Sequence, residues 1–525
     1  MIRSAFFLLF LALPLHADGW PQFGRDAAHS GRVAQGAQPL QRIFANLVYD
    51  PFVPLEQAVA DGELLVHYQV PLVDGDDVFM EFKAGTFGNQ TWNIHRLHWE
   101  NGTLADKWTA PSDWKPLPVD WEPVFHGILA NGFVYAPGAG GTLLQFDRND
   151  GALVRRINPF GTLLDTSIYV AGPPAADGNG NLYYTAMRIN PADPFLSDVR
   201  GAWLVRVAPD GSTTLASFSA LVPAAPAATA QCTGIFDLSQ SPLPPSPNAV
   251  PPSIQCGSQR PGVNVTPAIG ADGTIYVMSR AHFNSYWSWL VAVNPDLTPK
   301  WAASLRNRFH DGCNVLLPAN GTPGGCRAGT QTGFAPEENA PGSGRVVDIS
   351  TSSPAVAPDG SILYGAHTIY NDEQGHLMHF AADGTYLGAY EFGWDITPAV
   401  YEHDGTYSIV IKENHYGGAV HPVPEFFMTQ LSPSFAVEWQ AESDDEWCVN
   451  APAVDAGGTV YANSEDGYLY AIAQGGAIRQ RIFLQRALGA AYTPVSIGPE
   501  GRIYAQNAGH LFAIGGMAHP RAARH

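Results

Sequence analysis

The stretch NVTPAIGADGTIYV at residues 264–277 comes back, with the same order of residue types, along the whole chain. It reads SSPAVAPDGSILYG at 352, NAPAVDAGGTVYAN at 450, YTPVSIGPEGRIYA at 492, ITPAVYEHDGTYSIV at 396 and AGPPAADGNGNLYYT at 171. Weaker copies are EPVFHGILANGFVYA at 122 and QVPLVDGDDVFME at 69. The anchoring prolines Pro71, Pro123, Pro173, Pro267, Pro354, Pro398, Pro452 and Pro494 make eight copies, at intervals of 52, 50, 94, 87, 44, 54 and 42 residues. Recurrence at this spacing specifies a repeat architecture, in which each copy is one supersecondary unit and neighbours bury a shared core.

The unit can be read from its residues. The run after each proline alternates like a strand, Asp-Gly or Asn-Gly makes a tight hairpin, and a second strand such as TIYV follows. A third strand is seen in YLYAIA at 468–473 and HLFAIG at 510–515, and a fourth in PKWAAS at 299 and VEWQAE at 437. Four short antiparallel strands per copy is a propeller blade, with the proline at a strand start where a missing N–H is tolerated. The expected fold is therefore all-β, an eight-bladed β-propeller of four-stranded antiparallel blades. The last copy lacks a fourth strand, and QRIFANLV at 41–48 is the segment expected to supply it.

The opening GWPQFGRDAAHSGR at 19–32, together with the Asp-Gly-x-hydrophobic-Tyr hairpins, resembles the quinoprotein alcohol dehydrogenase-like propellers. That group holds both dehydrogenases dependent on pyrroloquinoline quinone (PQQ) and an outer-membrane assembly scaffold built on the same repeat. The resemblance spans about residues 19–516. It implies the fold; one fold hosts many sites, so it leaves function open.

The first 17 residues, MIRSAFFLLFLALPLHA, read as a signal peptide, with Arg3, a short apolar core and a small residue at Ala17. The core is too short to span a bilayer as a helix. No other stretch is long and apolar enough to do so, so a periplasmic or secreted chain without a transmembrane segment is expected. The propeller is placed at 18–516, with inserts at about 221–262 and 304–347, and a tail at 517–525. Two cysteine pairs bracket loops within those inserts, and Cys232–Cys256 and Cys313–Cys326 are expected as local disulfides, as export allows. Cys448 is left as a buried thiol. A formal charge of −20 disfavours nucleic acid, and the chain is expected to act as a monomer on a small molecule or another exported protein. The pairs in HRLH at 95–98 and HLMH at 376–379 stand three apart on strands, so their side chains point to opposite faces and do not chelate together.

In such a blade the second-to-third and fourth-to-first connections share one face of the disc. Both inserts are fourth-to-first connections, and the second-to-third loops are long in blades three to six: RINPADPFLSDVRG at 188, SRAHFNSYWS at 279, HTIYNDEQGH at 367 and KENHYGGAVHPVPE at 412. Decoration therefore piles onto one face over one arc, where binding is expected. The loops offer Tyr286, Trp287, His367, Tyr370, Lys412, His415 and Tyr416 as a ligand-binding face. Residues before the anchoring prolines should line the central funnel, among them Trp121, Glu122, Asp348, Ser352, Trp394, Asp395, Glu446, Trp447 and Asn450.

If the resemblance extends to chemistry, it implies PQQ with calcium, with Trp121, Trp394 or Trp447 as a floor, Glu122, Asn450 and Asp395 as calcium ligands, and Asp395 as the base. Two family features are missing: no adjacent cysteine pair and no C-x-x-C-H haem attachment occur. The leading expectation is thus a ligand- or protein-binding scaffold working through the loop-rich face of blades three to six. The alternative is a PQQ- and calcium-dependent periplasmic dehydrogenase oxidising an alcohol or sugar.

Overall fold

The computed structural model describes residues 19–59, 69–118, 123–124, 126–234, 250–309, 340–350, 352–368, 375–393, 395–415, 423–486 and 493–516. Eight antiparallel blades follow one another along the chain, seven of them four-stranded sheets and the fourth a sheet of five, in which the short strand Gln259–Pro261 adds to the blade's own four. Blade one runs from Leu72–Asp74 to Thr103–Ser112, blade two from Ile128–Ala130 to Leu153–Ile157, and blade three from Ile168–Ala176 to Thr213–Ser217. Blade four runs from Ala268–Ile269 to Pro299–Ser304, blade five from Ala355–Val356 to Tyr386–Glu391, blade six from Ala399–His403 to Val437–Glu442, and blade seven from Ala453–Val454 to Ile478–Phe483. Blade eight takes Ser496–Ile497, Ile503–Asn507 and His510–Gly515, and its outer strand is Arg42–Val48, paired antiparallel with His510–Gly515. The N-terminal segment therefore closes the ring.

Outside blade one the inner three strands of a blade are largely buried, while outer strands such as that of blade six alternate. The second strand of blade five, ILYGAH, is buried throughout, whereas the outer strand of blade six, VEWQAE, reads exposed, exposed, buried, exposed, buried, exposed. Burial on both faces explains the near-continuous apolar runs of the second and third strands, and a solvated outer face explains the period of two in the fourth. Pro173 departs from the expected strand start. It lies inside Ile168–Ala176, where the register breaks twice, so no ladder bond is lost to it.

The segment GWPQFGRDAAHSGR does more than open the chain. Residues 20–38 travel round the turn face and meet every blade in order. Trp20 N–H donates to Val73 O of blade one at 2.7 Å, and Leu129 N–H of blade two donates to Pro21 O at 2.8 Å. The Ala176 N–H of blade three donates to the Gln22 side chain at 2.8 Å. Ile269, Val356 and Val400 of blades four, five and six donate to Ala27, Ala28 and Ser30 at 2.6, 2.9 and 2.8 Å. Val33 N–H then donates to Val454 O of blade seven at 2.9 Å, and Gln38 N–H to Gly501 O of blade eight at 2.7 Å. Each innermost strand would otherwise leave an edge unpaired, so this collar bonds the inner edges of seven blades and the first hairpin of the eighth. Gly31 has φ +63°, and a Cβ there would stand 2.9 Å from Pro452 O, which is why glycine occupies the closest approach.

The insert before blade four carries a small hairpin, Gln231–Thr233 with Ser253–Gln255, and the Cys232–Cys256 disulfide joins it at a sequence separation of 24. Cys313 and Cys326 lie outside the described residues, as do the signal segment and the tail. Cys448 is a buried free thiol. No described helix is long and apolar enough to cross a membrane. The two histidine pairs are split as expected: His95 bonds Asp106 at 2.5 Å while His98 bonds Asp77 at 2.7 Å.

Candidate functional site

The loop-rich end of the funnel is built on a belt of short polar residues beside the anchoring prolines. Thr266 N–H donates to Ser353 Oγ at 2.9 Å, Ser353 N–H to Thr397 Oγ1 at 2.8 Å, and Thr397 N–H to Asn450 Oδ1 at 2.7 Å. Ile396 N–H donates to Ser352 Oγ at 2.9 Å. The belt links blade four to blade seven and fixes the connections that carry the charged side chains. Asn450 and Ser352, expected to line the funnel, thus hold its wall together.

On this belt stands an arc of charged groups. Arg260 ends up in a short strand, Gln259–Pro261, that pairs with the second strand of blade four. Its guanidinium is buried and grips Asp348 with two bonds of 2.8 and 2.5 Å, while Nε donates to His282 Nδ1 at 2.9 Å. Arg280, at the loop end of the blade-four second strand, adds a third contact to Asp348 at 3.2 Å. Burial alone would raise the Asp348 carboxyl, but Arg260 and Arg280 outweigh it and hold it far below the usual carboxylate range. Burial lowers Arg280 to about 10 despite Asp348. Burial and the nearby Arg260 lower His282 to about 4, which leaves it a neutral acceptor.

Next along the arc comes Tyr364, on the second strand of blade five and 1% exposed. Burial, with Asp395 beside it, raises its hydroxyl well above the usual range; Arg280 and Asp348 are its other charged neighbours. Among the described residues no hydrogen bond reaches this hydroxyl. Beyond it Asp395 and Lys412 face each other at 3.7 Å, both wholly buried. At the blade-seven end Cys448 donates to Glu465 at 2.9 Å, and Glu446 completes a group within 4.8 Å. Burial, with Glu446 adding to it, pushes Glu465 up to about 7.

The structure sorts the expected residues. Asp395 and Lys412 come together, and Asp348 joins the same arc. Trp447 is fully buried, set edge-on to Tyr470 at 5.1 Å, with its backbone held by Asn414. Lys412 and His415 were expected in a loop, but the second strand of blade six extends through Thr406–His415. Strand alternation then parts them: Lys412 faces Asp395, and His415 bonds Glu413 at 2.9 Å on the other side, against Tyr390 of blade five. His367 contacts Arg345 at 2.6 Å, and that guanidinium lies 4.7 Å over the Tyr286 ring. Burial, with Arg345 beside it, holds His367 well below its ordinary value. Trp287 is half-buried beneath Arg306, which stands 4.4 Å from the ring. Trp121, Glu122, Tyr370, Trp394 and Tyr416 lie outside the described residues.

Sequence reasoning missed Arg260, Arg280 and Tyr364. The signal for Arg280 was present: a lone arginine ending the apolar run TIYVMSR next to a long insert. Arg260 and Tyr364 sit in contexts that look like an insert and an ordinary strand, and only the fold brings them to the axis.

No family model matches the chain, and no curated protein matches it in sequence. Solved structures do resemble it. A europium-containing methanol dehydrogenase superposes with a TM-score of 0.56 at 10% identity, over 93% of this chain and 89% of that one. A quinohemoprotein alcohol dehydrogenase from Comamonas testosteroni gives 0.55 at 13% identity, over 98% and 83%. The quinohemoprotein alcohol dehydrogenase ADHIIG from Pseudomonas putida HK5 gives 0.54 at 11%, over 96% and 81%. Identity this low speaks for the shared fold and nothing finer. With eight blades each built on four antiparallel strands, a ring closed by its N-terminal strand and these likenesses, the chain is an eight-bladed β-propeller of the quinoprotein alcohol dehydrogenase-like fold.

Proposed function

We propose that this is an exported binding protein whose loop-rich funnel captures a small organic polyanion. The observation that carries the reading is the crowding of Arg260 and Arg280 on one carboxylate, Asp348, with Arg345 close to Arg280. Two arginines on one aspartate, with a third beside them, leave positive charge over, and guanidinium forks suit carboxylates. The partnerless Tyr364 hydroxyl stands beside them as a hydrogen-bond group for the same ligand. Tyr286 and Trp287 are held by Arg345 and Arg306 at the rim, where they form its aromatic border. The Cys232–Cys256 disulfide supports an oxidising, periplasmic or extracellular setting.

A second reading, PQQ-dependent oxidation of an alcohol or sugar, is favoured by the dehydrogenases that share the fold. A tricarboxylated quinone meets the arginines well. Calcium meets the described residues poorly, since it wants six or more oxygens. Asp348 is taken by two arginines, Asp395 faces Lys412 at 3.7 Å, and Asn450 Oδ1 accepts the Thr397 N–H. No chemical step is derived through the quinone. Addition of PQQ with and without calcium, followed by quinone absorbance and dye-linked oxidation of alcohols and sugars, separates the two readings. Binding without turnover, indifferent to calcium, supports capture; calcium-dependent turnover supports the dehydrogenase; no binding removes both.

A further inference from the structure

On the opposite face, away from the funnel, a cavity of about 570 Å³ opens between the collar and the turns of blades four to six. That volume lies within the range of small-molecule sites. Its floor is collar residues, and its walls include Val33, Val356, Pro358 and Val400, an apolar surface.

The charged groups of the cavity differ in how far they are employed. Asp26 accepts from the N–H groups of Ala28 and Ser30 at 3.1 and 3.0 Å and pairs with Arg25 at 3.0 Å. Asp272 is held by Thr274 and by Lys300 at 3.1 Å, and Asp359 by Ser361 and by the Tyr407 hydroxyl at 2.9 Å. These carboxylates are parts of turns. Arg32 and Glu402 are not employed in this way. The Arg32 guanidinium lies 5.9 Å from the Tyr401 ring centroid, and its Nε is buried with no hydrogen-bond partner. Glu402 is exposed, and among the described residues no hydrogen bond or ion pair reaches it. One free cation and one free anion therefore line the same apolar-walled cavity without pairing to each other.

We propose that this turn-face cavity is a second ligand site, built for a small zwitterion whose carboxylate meets Arg32 and whose ammonium meets Glu402, with an apolar body against Val33, Val356 and Pro358. A polyanion is disfavoured, because the cavity carries the carboxylates of Asp26, Asp272, Asp359 and Glu402 against two arginines. A hydrocarbon without charge would leave the buried Arg32 Nε unsatisfied. None of the cavity's lining residues belongs to the funnel arc, so the site is separate from the funnel and stands or falls independently of it.

The test is calorimetric titration of the full mature protein with L-leucine, 4-methylpentanoate and isoamylamine, which share an apolar body and differ in charge. Leucine should bind, and each half-molecule should bind at least tenfold more weakly. Arg32→Gln and Glu402→Gln should each weaken leucine at least tenfold, with an unchanged melting temperature showing that the variants fold. Capture of an anion at the loop-rich funnel should be unaffected in Arg32→Gln. No leucine binding at millimolar concentration, equal binding of either half-molecule, or wild-type affinity in Arg32→Gln overturns the proposal.

Discussion

Trp301 lies flat on Gly384: its indole Nε1 donates to Ala382 O at 3.0 Å, and a Cβ at Gly384 would sit 2.8 Å from the ring. Trp301 belongs to the outer strand of blade four and Gly384 to the last hairpin of blade five, so the contact joins neighbouring blades. The same arrangement recurs between Trp108 of blade one and Gly151 of blade two, where the Cβ would stand 2.6 Å from the indole. Gly384 also has φ +86°, so alanine there meets both strain and collision. Gly384→Ala and Trp301→Ala should each cost about 2–3 kcal/mol, the tryptophan at the low end for its type because it is only half-buried. Denaturant unfolding checks this, and changes within about 0.5 kcal/mol, the range of ordinary surface substitutions, would contradict it.

The collar makes a second expectation. Removing residues 18–48 takes away the bonds to seven inner edges and to the first hairpin of blade eight, together with that blade's outer strand, whereas trimming 517–525 removes none of these. The N-terminal truncation should lower the melting temperature steeply and bring aggregation from the exposed edge. Equal midpoints for the two truncations would mean that the collar is ornamental.

Two buried groups should titrate stability in opposite directions. Burial lowers His29, whose Nδ1 lies 2.7 Å from Pro354 O, to about 4. The folded chain keeps it neutral where the unfolded chain is protonated, so stability should fall as pH drops from about 6.5 toward 4, by roughly 2 kcal/mol between pH 7.5 and 5. Burial raises Glu81 to about 8. It stays protonated in the fold where the unfolded chain has ionised, so stability should fall as pH rises from about 4.5 to 8, by roughly 4 kcal/mol. His29→Gln should flatten the acid limb and Glu81→Gln the alkaline limb in unfolding curves taken across that range. Unchanged slopes in either variant would show that the group is not buried in solution.

Reduction of Cys232–Cys256 should loosen the hairpin at 231–255 and leave the ring standing, because the bridge closes only a local loop. Limited proteolysis with and without reductant should show new cuts confined to that insert. Global unfolding on reduction would contradict this.

The repeat made the ring legible from residues alone. Proline, Asp-Gly and alternating apolar residues are local signals, so blade number, strand order and even closure by 41–48 could be read without a structure. The collar could not, because GWPQFGRDAAHSGR has no periodicity of its own; its role lies in hydrogen bonds, all but one of them backbone to backbone, to seven distant strands. The site was half legible for the same reason. Asp348 and Asp395 stand a few residues ahead of the anchoring Pro354 and Pro398, a neighbourhood that the repeat reveals. Arg260 reaches Asp348 across 88 residues of sequence, a distance at which no local pattern speaks. Lys412 and His415 were grouped because they are close in sequence, yet strand alternation sends them to different neighbours.

The central claim is that an anion binds in the funnel beside Tyr364, and Tyr364→Phe tests it most directly. The hydroxyl has no hydrogen-bond partner among the described residues, so its removal should leave the melting temperature unchanged within about 1 °C, since no net stabilisation of about 1 kcal/mol is lost. Calorimetric titration with PQQ as the tricarboxylate should show at least a tenfold rise in Kd for Tyr364→Phe, and a similar or larger rise for Arg345→Gln. Wild-type affinity in both variants, or loss of stability in Tyr364→Phe without change in affinity, would contradict the account.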